Sequence, residues 1–191
     1  FTWQESTTIM KQCLTGLAHL ADKNIVHRDI KPENLLFNHK SKPIIENQIV
    51  ICDFGMATKC NTKVNYLLKK CGTPGYVAPE ILDQESEKNF KLDPINDVFS
   101  MGVIFYILLT NNAPWKHVND TEQLIQQNQE ANIDTSVNNR HLREADKDVR
   151  KCLECMLKKN PKERISAKEA LKQLEQIDLN VEKEKEQKAD K

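Results

Sequence analysis

Two short polar runs contain the side chains in this sequence that could do chemistry. The first, residues 27–34, reads His-Arg-Asp-Ile-Lys-Pro-Glu-Asn, and the second, residues 53–55, reads Asp-Phe-Gly. Together they offer a carboxylate that could accept a proton (Asp29), a cation (Lys31) and two oxygen ligands for a hard metal ion (Asn34 and Asp53). Such a set suits the transfer of a phosphoryl group from a magnesium nucleotide to a hydroxyl group.

The order and spacing of the two runs point to one common site. Each residue alone would mean little, because a single Asp-Phe-Gly arises often by chance and a lone aspartate is more often a surface charge or a helix cap. Here a run of eight residues is followed by the second motif, with Asp53 twenty-four residues after Asp29. Gly55 is expected to let the backbone turn sharply after the metal ligand.

The hydrophobic pattern predicts that a mainly helical scaffold positions these loops. Helices are predicted over residues 6–21, 97–109, 121–130, 145–157 and 166–174. The segment 97–109 is apolar on nearly every side and is expected in the core, whereas 121–130 is polar and is expected at the surface. Ser166 and Glu169 form a capping-box pattern at the start of the last helix.

Short strands are predicted close to the two polar runs. Residues 25–26, 35–37 and 49–52 are rich in Ile, Val and Leu, and the last two segments are expected to form a hairpin with a long connection over 38–48. Residues 53–80 have little periodicity and are predicted to be a long loop, which at this length is usually either functional or disordered. In the segment 178–191, nine of fourteen residues are charged, so we expect a domain over 1–177 and a solvated tail.

Composition limits the classes of binding partner and the cellular compartment that we expect for this protein. The 28 basic and 28 acidic residues cancel, so the charge balance gives no reason to expect nucleic acid or an anionic membrane. The longest apolar stretch, residues 101–109, is about half of what a membrane span needs. The six cysteines lack the regular spacing of a secreted disulfide scaffold, which favours reduced thiols in a cytoplasmic protein.

The polar runs and the segment that follows them resemble a eukaryotic protein kinase. Residues 27–34 resemble the catalytic loop, and residues 71–80, Cys-Gly-Thr-Pro-Gly-Tyr-Val-Ala-Pro-Glu, resemble the segment that seats the substrate peptide. The resemblance covers residues 6–175 and implies an α+β, protein-kinase-like fold. This part would be the mainly helical C-terminal lobe with short β-hairpins, with the N-terminal lobe largely absent. It also implies ATP and Mg²⁺ as cofactors.

The resemblance assigns a chemical role to each polar residue of the two runs. Asp29 would be the catalytic base, and Lys31 would be catalytic through its contact with the transferring phosphate. Nucleotide and metal would be bound by Lys31, Glu33, Asn34 and Asp53, with Asn34 and Asp53 as the magnesium ligands.

Substrate binding would fall to Glu33 and Thr73. In the family, the residue at Thr73 bonds the catalytic aspartate and lysine, a feature of serine/threonine kinases. Glu33 would favour a basic residue upstream of the target hydroxyl.

The other matched residues would have structural roles. Glu80 would pair with Arg164 as a buried ion pair. Asp97 would hold the backbone of the turn that begins at His27, and His27 would pack against Phe54. All three contacts are implied by the resemblance, and together they would fix the geometry of the catalytic loop.

The resemblance is greatest to the calmodulin-dependent and calcium-dependent kinases, on residues 72–80, 99–109 and 160–167. It implies a serine/threonine protein kinase that transfers the γ-phosphate of ATP to protein hydroxyls, with a calcium sensor as a regulatory partner. The sequence itself contains no Asp-x-Asp-x-Asp-Gly calcium loop. The alternative is a truncated or pseudokinase-like module that binds partners without catalysis.

Two features depart from the family pattern. Lys69 stands where many relatives have a phosphorylated threonine or an acid, and its charge would repel Arg28. Phosphate on Thr62 or Thr58 could substitute, or the loop needs none. In addition, only 26 residues precede His27, and they contain no glycine-rich loop or Val-Ala-Ile-Lys strand. We therefore expect these 191 residues alone to have no useful activity, and to expose apolar surface where an N-terminal lobe would sit.

Overall fold

The computed structural model describes residues 1–39, 42–43, 46–60, 71–83 and 92–177. Within these ranges the helices are α1 (Trp3–Asp22), α2 (Pro79–Leu82), α3 (Ile95–Thr110), α4 (Thr121–Glu130), α5 (Lys147–Met156) and α6 (167–177). The strands are β1 (Ile25–Val26), β2 (Leu35–Phe37), β3 (Ile49–Ile51) and β4 (Thr58–Lys59). Single 3₁₀ turns cover Pro32–Asn34 and Phe54–Met56.

Helix α1 begins three residues earlier than the sequence pattern predicted. Thr2 is its N-cap: the Thr2 hydroxyl accepts from the Glu5 amide, and the Glu5 carboxylate accepts from the Thr2 amide at 2.8 Å. This capping box satisfies amide groups that the start of a helix leaves unpaired. One turn later the Ser6 hydroxyl donates to the Leu108 carbonyl at 3.0 Å, which ties α1 to α3.

Helix α3 lies in the core, as its apolar sequence predicted. Its residues from Asn96 to Tyr106 are buried, with Phe99, Met101 and Phe105 fully so, and it packs between α1 and α5. A side chain at Gly102 would come within about 3.1 Å of Met156 and Leu157, so glycine permits this close packing. The central helix therefore gives the site a rigid base.

Two antiparallel strand pairs bring the two polar runs together. The β2–β3 hairpin was predicted, with Leu35 opposite Ile51 and Phe37 opposite Ile49. The pairing of β1 with β4 was not, and it breaks the loop predicted over 53–80. Residues 27–34 connect β1 to β2, and residues 52–57 connect β3 to β4. Because both connections are flanked by paired strands, they must lie side by side.

Helix α5 packs against α3, and the Cys152 thiol of α5 donates to the Ala170 carbonyl of α6 at 3.7 Å. Helix α5 begins after Asp146, whose carboxylate accepts from the Asp148 amide at 2.7 Å. The predicted capping box at the start of α6 is confirmed: the Ser166 amide donates to the Glu169 carboxylate, and the Glu169 amide donates to the Ser166 hydroxyl. No helix in the described part of the chain is long and apolar enough to cross a membrane. The predicted tail, residues 178–191, lies outside the described residues.

Candidate active site

Asp29 is the centre of a compact hydrogen-bond network. The Thr73 hydroxyl donates to Asp29 Oδ1 at 2.7 Å, and Lys31 Nζ lies 2.8 Å from Asp29 Oδ2. Lys31 Nζ also donates to the Thr73 hydroxyl at 3.1 Å. The Asn34 amide nitrogen donates to the backbone oxygen of Asp29 at 2.7 Å. Three residues from the first polar run and one from the 71–80 segment therefore meet within one site.

These contacts control the charge of Asp29. Burial raises the pKa of the carboxyl group, but hydrogen bonds from Lys31, Thr73 and Asn34 outweigh it and hold the pKa below the usual value. In return, the hydrogen bond to Asp29 raises the pKa of Lys31, with further contributions from the charges of Glu33 and Asp53. At neutral pH the site thus contains an ionised carboxylate and a protonated lysine in direct contact.

Asn34 and Asp53 carry the oxygen atoms suited to a metal ion. The side-chain nitrogen of Asn34 is engaged by Asp29, which leaves its oxygen as the remaining ligand atom. Asp53 is exposed in the neighbouring connection. Among the described residues no three His, Cys, Asp or Glu side chains cluster as a metal site. Carboxylate and amide oxygens are the type of ligand that Mg²⁺ takes, with waters and phosphate oxygens completing its shell.

The turn at the second polar run is made by Asp53, and not by Gly55 as predicted. Asp53 adopts a left-handed backbone conformation with φ 61° and ψ 71°, whereas Gly55 lies within the 3₁₀ turn. The Asp53 carboxylate accepts from the Gly55 amide at 3.3 Å, and a β-carbon at Gly55 would lie 3.2 Å from that oxygen. Aspartate tolerates this conformation because its side chain can bond the backbone two residues on.

His27 links the two polar runs. Its ring is buried, with Nε2 3.0 Å from the Cys52 oxygen, and the Asp29 amide donates weakly to Nδ1 at 3.4 Å. The ring also meets that of Phe54 edge to face, with the centroids 5.0 Å apart. Through these contacts the His27 ring joins the loop of the first polar run to that of the second.

Asp97 fixes the backbone of the turn at His27 and Arg28. From α3, its two carboxylate oxygens accept the amides of His27 at 2.6 Å and Arg28 at 2.9 Å. Arg28 has φ 71°, and its Nε donates to the Met56 carbonyl. The Asp97 carboxylate thus stabilises the positive φ of Arg28, a backbone conformation that is unfavourable for residues other than glycine.

The titration of Asp97 predicts a pH dependence of stability. Burial raises its pKa from 3.8 to about 6, although the two backbone amides act in the opposite direction. The folded chain therefore takes up this proton more readily than the unfolded chain, and the contribution of Asp97 to stability increases as pH falls from 6 to 4. Relative to Asp97→Asn, which does not titrate, the wild type should gain unfolding free energy over that range. Urea unfolding at pH 4, 5, 6 and 7 tests this, and a constant difference would contradict it.

Glu80 and Arg164 form a buried, bidentate ion pair. Arg164 Nη1 and Nη2 lie 2.7 and 2.8 Å from the two carboxylate oxygens of Glu80. The Asn96 side chain also donates to Glu80 at 2.6 Å, a contact that the sequence did not predict. This pair anchors the end of the 71–80 segment to the helical core.

Apolar side chains are exposed on the β2–β3 hairpin, beside the second polar run. Leu36 and Val50 are directly opposite each other and so lie on one face, with 49% and 45% of their surface exposed. Phe1 and Phe37 are also exposed. Exposed apolar surface was predicted, but these positions were not, since strands this short show no reliable periodicity.

Glu33 and Thr58 lie in the described residues, whereas Lys69 and Thr62 do not. Glu33 is exposed on the Pro32–Asn34 turn. Burial raises the pKa of Tyr76, and the negative charge of Glu33 raises it further. Thr58 belongs to β4, opposite Val26.

Comparisons with known proteins agree with this geometry. The sequence model of the protein kinase domain matches residues 1–174. The serine/threonine-protein kinase H1 homolog of Pinctada fucata is 33% identical over 90% of this chain, and the calcium/calmodulin-dependent protein kinase cmkA of Emericella nidulans is 31% identical over 90%. Calcium-dependent protein kinase 5 of Plasmodium berghei is 41% identical over 65% of the chain. The chain spans 39% of the length of the first two proteins and 20% of the third.

A helical lobe that presents an ionised carboxylate, a lysine, an asparagine and a second aspartate on adjacent loops is the kind of site that phosphotransferases use. This chain belongs to the protein kinase family. Its fold is α+β, mainly helical with a few short strands.

Proposed function

We propose that the protein containing these residues is a serine/threonine protein kinase that transfers the γ-phosphate of ATP to hydroxyl groups of protein substrates. The observation that carries the proposal is the contact of the Thr73 hydroxyl and the Lys31 ammonium with the ionised Asp29 carboxylate. Residues 1–177 would be part of the kinase domain. The intact hydrogen-bond network around Asp29 favours an enzyme over a partner-binding module. A surface that only binds a partner does not require an ionised carboxylate held against a lysine.

The residues of the site would divide the reaction between them. Asp29 would accept a hydrogen bond from the substrate hydroxyl, aim its oxygen and take its proton. Lys31 would offset negative charge beside Asp29, and Thr73 would hold both groups in place. Positioning and fixed charges of this kind supply most of the rate in phosphoryl transfer.

The nucleotide would be held through its metal by Asn34 and Asp53. ATP would supply the phosphoryl group, and Mg²⁺ held at these residues would neutralise its negative charge. Asn34 donates to Asp29 through its nitrogen while its oxygen remains for the metal, so one side chain would couple the metal site to the base. Hydrogen bonds that fix a ligand side chain also fix the site it builds.

Peptide phosphorylation tests the proposal. The full-length protein would be incubated with Mg²⁺ and labelled ATP on three peptide pools that are identical except for Ser, Thr or Tyr at the target position. Transfer to Ser and Thr is expected. Transfer to Tyr alone, or none with any pool under activating conditions, would contradict the proposal.

Glu33 is expected to select basic substrates. It is exposed two residues after Lys31, which bonds Thr73 of the 71–80 segment, so a Lys or Arg upstream of the target hydroxyl would meet a carboxylate. Glu33→Gln should reduce the preference for basic peptides by roughly 2–5-fold, the range for an exposed ion pair. A peptide array read with the wild type, Glu33→Gln and the exposed control Glu144→Gln measures this. Equal turnover of peptides with and without basic residues by the wild type would refute it.

Control by a calcium sensor is part of the proposal. The names of two of the similar proteins refer to calcium or calmodulin. The sequence contains no calcium loop of its own, so the sensor would be another chain or another segment. The proposed setting is the cytoplasm, because the six cysteines of the sequence lack the regular spacing of a secreted disulfide scaffold.

A further inference from the structure

Gly75 is held on both sides of its backbone by side chains from a distant part of the chain. The Asn128 side-chain oxygen accepts from the Gly75 amide at 2.8 Å, and the Trp115 indole nitrogen donates to the Gly75 carbonyl at 2.8 Å. The Asn128 nitrogen also donates to the Val77 carbonyl at 2.7 Å. We call Asn128 and Trp115 the Gly75 clasp.

Asn128 differs from the rest of its helix. Helix α4 was predicted to be polar and exposed, and five of its ten residues are exposed, but Asn128 has no exposed surface and is the buried residue of the helix. Burial of an amide side chain is unfavourable unless its donors and acceptors are paired. Both polar atoms of Asn128 are paired with the segment 75–77, so the hydrogen bonds explain why a polar residue occupies this buried position.

The two arms of the clasp are tied to each other. The Lys116 amide donates to the Gln127 side-chain oxygen at 2.9 Å, and the Gln127 nitrogen donates to the Lys116 carbonyl at 2.6 Å. The residue after Trp115 is thus fixed to the residue before Asn128. The two arms of the clasp are therefore joined at the C-terminal turn of α4.

The backbone conformation of Gly75 and its lack of a side chain permit the contacts of the clasp. Its φ of 91° lies in the region that favours glycine, and a β-carbon there would lie 3.3 Å from the Trp115 nitrogen. Gly75 is buried, so its amide and carbonyl would be left without partners if the clasp were removed. The clasp therefore stabilises one conformation of this turn.

Gly75 follows Thr73, which contacts Asp29 and Lys31, by two residues along the chain. Thr73 bonds Asp29 and Lys31, and the Tyr76 amide donates to the Thr73 carbonyl at 3.1 Å, which closes a turn around Gly75. A polypeptide whose hydroxyl reaches Asp29 must pass beside this turn. Its conformation therefore shapes the place where the substrate backbone lies.

Resting on the proposed kinase function, we propose that Asn128 and Trp115 are positioning residues that set the affinity for the protein substrate. They keep the segment 73–77 in the conformation that accepts the peptide. Without the clasp the segment would populate other conformations, and the substrate would have to restore the competent one. The apparent affinity for the peptide is then the intrinsic affinity multiplied by the fraction of molecules in the competent conformation. Once the peptide is bound, the complex reacts at the wild-type rate.

Steady-state kinetics of the full-length protein with variants of both arms test the proposal. Trp115→Phe removes only the indole donor and keeps an aromatic ring, and Asn128→Leu replaces the amide with an apolar group of similar size. Trp3→Phe, on the half-buried face of α1, is the matched control. Each clasp variant should raise the KM for the peptide roughly tenfold, as expected for a lost hydrogen bond to a buried group. The kcat and the KM for ATP should remain at wild-type values, and Trp3→Phe should change none of the three.

The outcomes separate this inference from the proposed function. An unchanged peptide KM in Trp115→Phe, which is the milder variant, would overturn the inference, as would a loss of kcat at constant peptide KM. An equal rise in both KM values would indicate general damage and would also overturn it. No transfer by the wild-type protein would instead contradict the proposed function itself. In both clasp variants, but not in Trp3→Phe, amide exchange at residues 73–77 should become faster, and exchange at the wild-type rate in the clasp variants would contradict the clasp without reference to activity.

Discussion

Asp29→Asn is expected to lower the kcat of the full-length protein roughly 10²–10⁴-fold, the usual contribution of a positioned general base. Asparagine keeps the shape of the side chain and can still accept from the Thr73 hydroxyl. It removes the negative charge that pairs with Lys31 and the oxygen that would take the substrate proton. Because Asn34 and Asp53 are unchanged, the affinity for the magnesium nucleotide should stay close to that of the wild type.

A matched aspartate variant controls for the loss of a carboxylate. Asp22 on α1 is exposed and pairs with Lys168 at the surface, so Asp22→Asn should leave kcat unchanged. Initial rates at saturating Mg²⁺, ATP and peptide measure both variants against the wild type. If Asp29→Asn kept its kcat, the proton acceptor would have to be another group and the proposed mechanism would be wrong.

Arg164→Met is expected to lower the free energy of unfolding by roughly 3–5 kcal/mol, because breaking a buried ion pair from one side leaves an uncompensated charge. The Arg164 side chain has no exposed surface, and it grips both carboxylate oxygens of Glu80. Its guanidinium group also lies over the Phe99 ring, 5.1 Å from the centroid. It donates in addition to the carbonyls of Ile95, Lys158 and Lys159.

Arg143→Met provides the control for this stability prediction. Arg143 is exposed, and substitutions at such sites usually change stability by less than about 0.5 kcal/mol. Urea unfolding of both variants and of the double variant Glu80→Gln/Arg164→Met measures the effect. The double variant should recover part of the loss, because it removes the charge left unpaired on Glu80. If Arg164→Met cost no more than Arg143→Met, the ion pair would not anchor the 71–80 segment.

Much of the helical scaffold could be predicted because its signals are local. The apolar run around Phe99 indicated a core helix, and Ser166 with Glu169 indicated a helix start. The start of α1 was predicted too late because the Thr2–Glu5 pair was not recognised as a capping box. The β1–β4 pairing could not be predicted, because strands of two residues have no periodicity and their partners are more than thirty residues apart.

Some contacts of the site could also be predicted from the sequence, and others could not. The contacts of Asp97 with the His27 turn and of Thr73 with Asp29 were expected from the family resemblance. The left-handed conformation of Asp53 was missed, because glycine is the usual residue for such a turn. Asn128 was missed because its partner lies some fifty residues away, and only the folded chain shows that a polar helix buries one amide there.

The claim that this site binds a magnesium nucleotide in front of Asp29 is tested most directly by locating the metal. Crystals of the full-length protein grown with Mn²⁺ and a non-hydrolysable ATP analogue would reveal it through the anomalous signal of manganese. We predict a peak in contact with the oxygens of Asp53 and Asn34, at about 2.1 Å as for Mg²⁺. It should also lie on the side of Asn34 away from its bonds to Asp29. A metal bound elsewhere, or nucleotide bound with no metal at these residues, would contradict the account.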